Sequence, residues 1–291
     1  MTISEYSKSL KPIFQKEEIL TIHSVFDNSI NLVRNNRLIS LVHKNTTLTP
    51  MSIRLSITPT QFKRMNVSQG DTITIDTLGL RIKSLFFSLK EKNEVDFSYL
   101  EYNYDHDHFI TFVNDVERLL LSPKARGHMS SALKHLLLNQ TLEESLLSKK
   151  MVTHLKPLIN PRNTQAIIDT IPKLVGLGEG LTPSGDDFIS GLLSALHYLS
   201  KHPKIKDLKN SVIKETINVL DHTTTISKEY LQYAIDGLFN THVKELYTHH
   251  WHHKPYETSL ENLNTIGHSS GTDFIIGLYI GLKIGGNIYD S

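Results

Sequence analysis

GLGEGLTPSGDDFISGLLSAL, residues 176–196, joins a glycine loop to an apolar-faced helix, and the rest of the chain is read outward from it. Gly176, Gly178 and Gly180 free the backbone to take positive φ or to approach a ligand closely. Phe188, Leu192, Leu193 and Leu196 follow at helical spacing, which predicts a helix from Ser184. Ser184 is a natural N-cap, and Asp187 three residues on answers it as a capping box. Such an arrangement delivers the positive end of a helix to a polar surface.

The stretch is repeated. SGTDFIIGL, residues 270–278, overlays SGDDFISGL, residues 184–192, without a gap and 86 residues later; the copies differ only at Asp186/Thr272 and Ser190/Ile276. Two helices of related role are therefore expected, meeting around one site. The competing account is two capped core helices, with Asp187 and Asp273 as caps worth about 1 kcal/mol each. Gly191 with Ala195, and Gly277, Gly281 and Gly285, form rows of small residues at four-residue spacing. Close packing along those rows would bring the two N-terminal loops together.

Upstream the periodicity changes. Ile53, Leu55 and Ile57 alternate with polar residues, as do Ile73 and Ile75, and short apolar runs occupy 19–26, 29–35, 38–44 and 79–85. Turn chemistry at Asp27-Asn28, Asn35-Asn36, Gly70-Asp71 and Leu78-Gly79 separates them, giving six short strands. Residues 1–17 read as a loose or short helical lead-in. Beyond about residue 95 the patterns are helical: Asp107 to Leu121, a capping box at Thr141–Glu144 opening a helix toward His154, Thr164 to Val175, Asp207 to Leu220, Ser227 to Tyr247, and Thr258 to Ile266. The expected fold is α+β: a small antiparallel sheet or barrel over 1–95, then a mainly α-helical bundle over 96–291 carrying both glycine-loop motifs.

Composition narrows the function classes. The 291 residues hold 31 Lys and Arg against 30 Asp and Glu, a net charge of +1, so neither nucleic acid nor a membrane surface is an expected partner. Cysteine is absent, which removes disulfides, thiolate metal sites and a cysteine nucleophile. MTISEYSKSLKPIF lacks a signal-peptide core and no apolar run reaches membrane-spanning length, so a cytoplasmic protein is expected.

The loop is no standard nucleotide cradle: it lacks both Gly-Lys-Ser/Thr and G-x-G-x-x-G, and it follows a helix. Asp186 and Asp187 in a first helical turn would repel a bare anion. Either a divalent cation such as magnesium bridges them to one, or they accept hydrogen bonds from a ligand's amide or ureido N–H groups; no cofactor is otherwise called for. Asp186, Asp187 and His268 are the catalytic candidates, the last as a general acid or base beside the second loop. Gly178, Gly180, Thr182, Ser184, Gly185, Thr225, Ser227, Ser270, Gly271 and Asp273 are the candidates for ligand contact, with Thr182 and Ser184 as oxyanion donors. Thr223 to Ser227 alternatively serve only to cap a helix. Asp105–His108 and His249–His253 have metal-like composition without ligand spacing, and the latter reads as an exposed loop.

GLGEGLTPSGDDFISGLLSAL, GHSSGTDFIIGL at 267–278 and TTTISKEYLQYAIDG at 223–237 together resemble the AllH family. The resemblance extends over nearly the whole chain. It implies a cytoplasmic subunit of a three-component oxamate carbamoyltransferase of anaerobic allantoin use, with an FdrA-like subunit and one further companion. The implied reaction interconverts oxalurate plus phosphate with oxamate plus carbamoyl phosphate. Loop amides with Thr182 and Ser184 would then face the developing oxyanion, and Asp186 and Asp187 the ureido N–H groups. A non-catalytic ligand-binding or assembly subunit and a stand-alone magnesium-dependent hydrolase are the alternatives.

Overall fold

Period-two patterning in the first hundred residues builds a mostly antiparallel sheet. In the computed structural model, which describes residues 1–89, 94–98, 101–159 and 164–291, it has nine strands among the described residues. These are β1 Ile3–Ser7, β2 Glu18–Val25, β3 Ser29–Arg34, β4 Arg37–His43, β5 Ser52–Leu55, β6 Thr72–Asp76, β7 Gly79–Ile82, β8 Leu85–Ser88 and β9 Glu94–Val95. Their order is β8-β7-β6-β2-β3-β4-β5-β1-β9, with β4–β5 and β1–β9 parallel. Asn35 and Asn36 take φ of 49° and 62°, the left-handed pair that a two-residue hairpin between β3 and β4 requires. Leu20, Ile22, Leu32, Leu41, Ile53 and Ile75 share one buried core with Leu10, Ile13 and Phe14 and with Phe62 of α1 (Pro59–Lys63).

The lead-in expected over 1–17 is instead part of this core. β1 pairs with β5 and β9, and a 3-10 turn over Lys8–Phe14 buries Leu10, Ile13 and Phe14. A five-residue strand whose partners lie some fifty and ninety residues away leaves little local periodicity to read.

The chain divides into two compact units, Met1–Ser98 with Leu238–Thr241, and Tyr99–Gly237 with His242–Ser291. The second is helical: α2 His106–Leu121, α3 His128–Leu138, α4 Leu146–Ile159, α5 Thr164–Leu174, α6 Ser184–Tyr198, α7 Pro203–Asn218, α8 Thr225–Ile235, α10 Glu257–Asn264 and α11 Ser270–Tyr289, with α9 Thr241–Trp251 beginning at the division. Several boundaries differ from the expected ones. Asp105, not Asp107, caps α2, accepting from the His108 amide at 3.2 Å. The helix expected from Thr141 starts at Leu146, where Ser145 accepts from the Ser148 amide at 2.9 Å. α3 has no counterpart in the sequence reading. The single helix expected over 227–247 breaks at Gly237, whose φ of +73° ends α8 and returns Leu238–Thr241 to the first unit.

α6 and α11 are the axis of the helical unit. An added Cβ on Gly191 would stand 1.9 Å from the Phe274 carbonyl oxygen, and one on Gly277 would stand 1.9 Å from the Phe188 carbonyl oxygen. The contact is reciprocal, each glycine of one repeat meeting the phenylalanine of the other. The hairpins leading into the two helices also correspond. Gly185 packs on the Leu174 carbonyl at the end of α5, and Gly271 on the Leu263 carbonyl in α10, each leaving about 2.0 Å for a Cβ. Residues from Gly271 to Leu282 are buried on every face of α11, as befits a helix at the centre of its unit.

The two histidine-rich clusters meet in the tertiary structure. His108 stacks on His250 at 4.2 Å and on His253 at 3.9 Å, and Tyr198 and His250 Nδ1 share a hydrogen bond of 2.8 Å. His250 lies on α9 and is fully buried, so the exposed loop expected over 249–253 is found only at His252 and His253, beyond the helix; burial lowers the His250 pKa to about 3. Among the described residues, no three His, Cys, Asp or Glu side chains gather as ligands for a cation, here or at the aspartates.

Candidate functional site: a crossed pair of buried carboxyls

Because α6 and α11 cross closely, their first turns face one another, and the capping logic of each repeat is exchanged. The capping box expected between Ser184 and Asp187 does not form. Pro183 occupies the N-cap of α6 with no side-chain cap bond. Ser184 instead hydrogen-bonds the carboxyl of Asp273 on the other repeat, with Ser269 as its second hydroxyl. The Asp187 carboxyl is bonded in turn by Ser270 of the second repeat and by Thr182, and Thr182 Oγ1 lies 3.0 Å from Ser270 Oγ. Each carboxyl therefore takes a serine hydroxyl from the opposite copy.

After these bonds, Asp187 Oδ2 and Asp273 Oδ1 remain shut off from solvent without a partner. Two unmet carboxylate oxygens are costly in a fold that otherwise satisfies its buried polar groups. Burial pushes the Asp273 carboxyl up to about 7, with the Ser184 and Ser269 hydroxyls working against it. Asp187 is raised well above the usual carboxylate range, first by burial and then by the charges of Asp273 and Asp186, while Ser270 and Thr182 oppose the rise. Burial thus favours the protonated form of both carboxyls more than solvent does, which gives the pair donor as well as acceptor character.

Asp186 has a different surrounding. Its Oδ1 accepts from the Gly176 amide at 2.8 Å, and its Oδ2 accepts from Ser227 Oγ at 2.7 Å and from the Thr223 hydroxyl. Thr224, the N-cap of α8, donates to the Leu181 carbonyl at 2.5 Å. Asp186 therefore ties the glycine loop to the head of α8, with both of its oxygens already accepting hydrogen bonds. Ser227 belongs to the same clamp, whereas Thr225 is exposed on the first turn of α8. Asp186→Ala is expected to destabilise the protein by about 2–3 kcal/mol through the donors it orphans, read by urea denaturation. An unchanged midpoint would contradict the clamp.

The amides at the two ends of the loop are engaged, whereas those of residues 178–182 and of Ser184 make no hydrogen bond among the described residues. Leu177 donates to the Leu174 carbonyl, Gly185 to Leu177, and Asp186 and Asp187 to Pro183, at 2.8–3.2 Å. Gly271 donates to Ile266 and Asp273 to Ser269. Gly178 takes φ of +136° because a Cβ there would stand 2.5 Å from the Ser184 amide nitrogen, so its role is close packing beneath the loop; Gly180, φ +83°, lies in open space at the tip. His268 is exposed in the second loop, with no hydrogen bond or ion pair among the described residues.

Three groups at the site escaped the sequence reading. Ser269 bonds Asp273, and its only signal was its place beside Ser270. Thr272, which stands where the first repeat has Asp186, accepts from the Arg126 amide at 3.3 Å and donates to Asn264 Oδ1 at 2.8 Å. Asn264 Nδ2 donates to the Lys124 carbonyl at 3.0 Å. The one site-bearing difference between the repeats thus has a reason: each copy pins a different neighbouring segment, the α8 head in the first and the 124–127 turn in the second.

Fold and site together define a two-unit α+β protein whose helical unit carries a duplicated, carboxyl-bearing helix pair. The family model described as oxamate carbamoyltransferase subunit AllH matches residues 174–282, and the AllH family N-terminal domain matches residues 2–98. The chain belongs to the AllH family, and the family name points to a subunit of a carbamoyltransferase. The first match spans both repeats and the α8 clamp. No solved structure matches the chain. No helix among the described residues is long and apolar enough to cross a membrane.

Proposed function

We propose that this chain is the subunit of a three-component enzyme that interconverts oxalurate plus phosphate with oxamate plus carbamoyl phosphate, and that its carboxyl pair handles the ureido group. One observation carries the reading: Asp187 Oδ2 and Asp273 Oδ1 are buried acceptors left without donors. A ureido or amide N–H supplies the missing hydrogen bonds. The acceptor role expected of Asp186 passes to Asp273, since the Asp186 oxygens are engaged by Gly176, Thr223 and Ser227.

In the forward direction a phosphate oxygen bonds to the carbamoyl carbon and the bond from that carbon to the oxamate nitrogen breaks. The proton that hydrogen phosphate gives up ends on the departing amide nitrogen. A pair of carboxyls both raised above the usual carboxylate range suits that transfer, because a protonated member can donate as an ionised one accepts. The companions are an FdrA-like subunit and one further chain, the setting is cytoplasmic allantoin use, and the carbamoyl phosphate formed can feed a carbamate kinase.

The test compares this chain alone, the companions alone and all three together, supplied with oxamate and carbamoyl phosphate and assayed colorimetrically for the ureido product. Product only from the full set is the expected result. Magnesium-dependent hydrolysis of a ureido substrate by the isolated chain would support the hydrolase alternative instead. Full activity with Asp187→Asn and Asp273→Asn in the assembled enzyme would move the chemistry to a companion and leave this chain an assembly subunit.

A further inference from the structure

With the amides of Gly185, Asp186, Asp187, Gly271 and Asp273 engaged inside the protein, a cationic side chain is the stronger partner for the anionic end of a ligand. The segments bordering the carboxyl pair are 124–128, 176–187, 222–227 and 264–273, and they contain two lysine or arginine side chains. Lys124 is paired with Glu261 at 2.5 Å. Arg126 is exposed, and its guanidinium has no hydrogen bond or ion pair among the described residues.

The backbone around Arg126 is held by buried polar groups. Thr272, 1 % exposed, accepts its amide, and Asn264, 7 % exposed, holds the carbonyl of Lys124 two residues before it. On its other side Gly127, φ +92°, comes so close to the second loop that a Cβ would stand 2.6 Å from Ser269 Cβ. The same Cβ position lies 3.8 Å from Asp273 Oδ1, the unpartnered oxygen. The turn therefore packs against the second loop at the buried acceptor, and the exposed Arg126 side chain leaves the backbone one residue before that contact.

We propose that Arg126 binds the anionic end of the ligand, a carboxylate or phosphoryl group, while Asp187 Oδ2 and Asp273 Oδ1 accept its N–H groups. Guanidinium suits both anions through paired N–H donors, and the two poles together select a small molecule with an anion at one end and amide or ureido nitrogen at the other. This assignment rests on the reading of the site as a ureido or carbamoyl site, but its test does not depend on turnover.

The experiment titrates the full-length chain, and the three-subunit assembly, with oxamate, carbamoyl phosphate and inorganic phosphate by calorimetry, for wild type, Arg126→Gln and Arg126→Lys. Arg126→Gln is expected to weaken at least one anion by about 10–100-fold with the melting temperature unchanged, and Arg126→Lys to restore part of it. Loss confined to oxamate assigns the carboxylate to Arg126; loss shared by carbamoyl phosphate and phosphate assigns the phosphoryl group. In the assembled enzyme the loss appears mainly in KM. Wild-type affinity for all three anions in Arg126→Gln, or no binding of any of them to wild-type chain or assembly, overturns the assignment. Arg126-dependent anion binding in an assembly that makes no ureido product would leave it standing and remove the carbamoyl-transfer reading.

Discussion

Asp273→Asn is expected to make the protein more stable at pH 8 and to stop carbamoyl transfer. The folded chain holds the Asp273 proton up to about pH 7, whereas the unfolded chain releases it near the ordinary value of 3.8. Stability contributed by this group is therefore complete below about pH 4 and is lost as pH rises through 7. Three pH units at about 1.4 kcal/mol each put the loss at up to about 4 kcal/mol, reached near pH 7 and constant above it. Asparagine keeps the shape without the buried charge, so its advantage over wild type should be small at pH 4 and largest at pH 8. Denaturant midpoints across that range measure it. Activity should move the other way, falling by about 10²–10⁴-fold if the carboxyl carries a proton in the reaction. That opposition is what a site maintained at the expense of stability produces. A variant that is less stable at pH 8 and still active would reduce Asp273 to a structural cap.

Gly277→Ala is expected to cost about 3–5 kcal/mol, at the upper end of what overpacking does. The new methyl carbon would meet the Phe188 carbonyl oxygen at 1.9 Å, its carbon at 2.7 Å and the Leu192 nitrogen at 2.9 Å. All three are backbone atoms of a buried helix, so α6 and α11 must separate. Gly191→Ala meets Phe274 in the same way and should cost as much. Because either change opens the same crossing, the double variant should lose less than the sum of the two. Gly180→Ala is the control: its surroundings are open, and only its φ of +83° opposes a side chain, at about 1 kcal/mol. Urea titrations of the four variants measure these costs; a Gly277→Ala midpoint matching that of Gly180→Ala would mean the helices do not cross this closely. Since the crossing also aligns Ser184 with Asp273 and Ser270 with Asp187, surviving Gly277→Ala protein should have lost its ligand affinity.

Where local pattern and tertiary demand agreed, the chain could be read directly. The alternation at Ile73 and Ile75, the Asn35-Asn36 turn and the helix from Ser184 each follow from steric preferences acting within a few residues. β1 and α3 could not be read that way, since β1 exists through partners far along the chain and α3 starts behind Gly127 at positive φ with no side-chain cap.

The site divides along the same line. From the residues alone came two copies of one device, glycine rows able to bring them together, and a set of carboxyls and hydroxyls in first helical turns. Capping rules pair a serine with the carboxyl three residues on in its own helix, because they know only local neighbours. At a helix crossing with backbone-to-backbone contact the nearest hydroxyl belongs to the other helix, so Ser184 serves Asp273 and Ser270 serves Asp187. The same crossing decided that Asp186 would be spent on the α8 clamp and that Arg126, 60 residues before it, would border the pair. The repeats themselves were written in the sequence; which side chain meets which was settled by how closely two glycines let their helices approach.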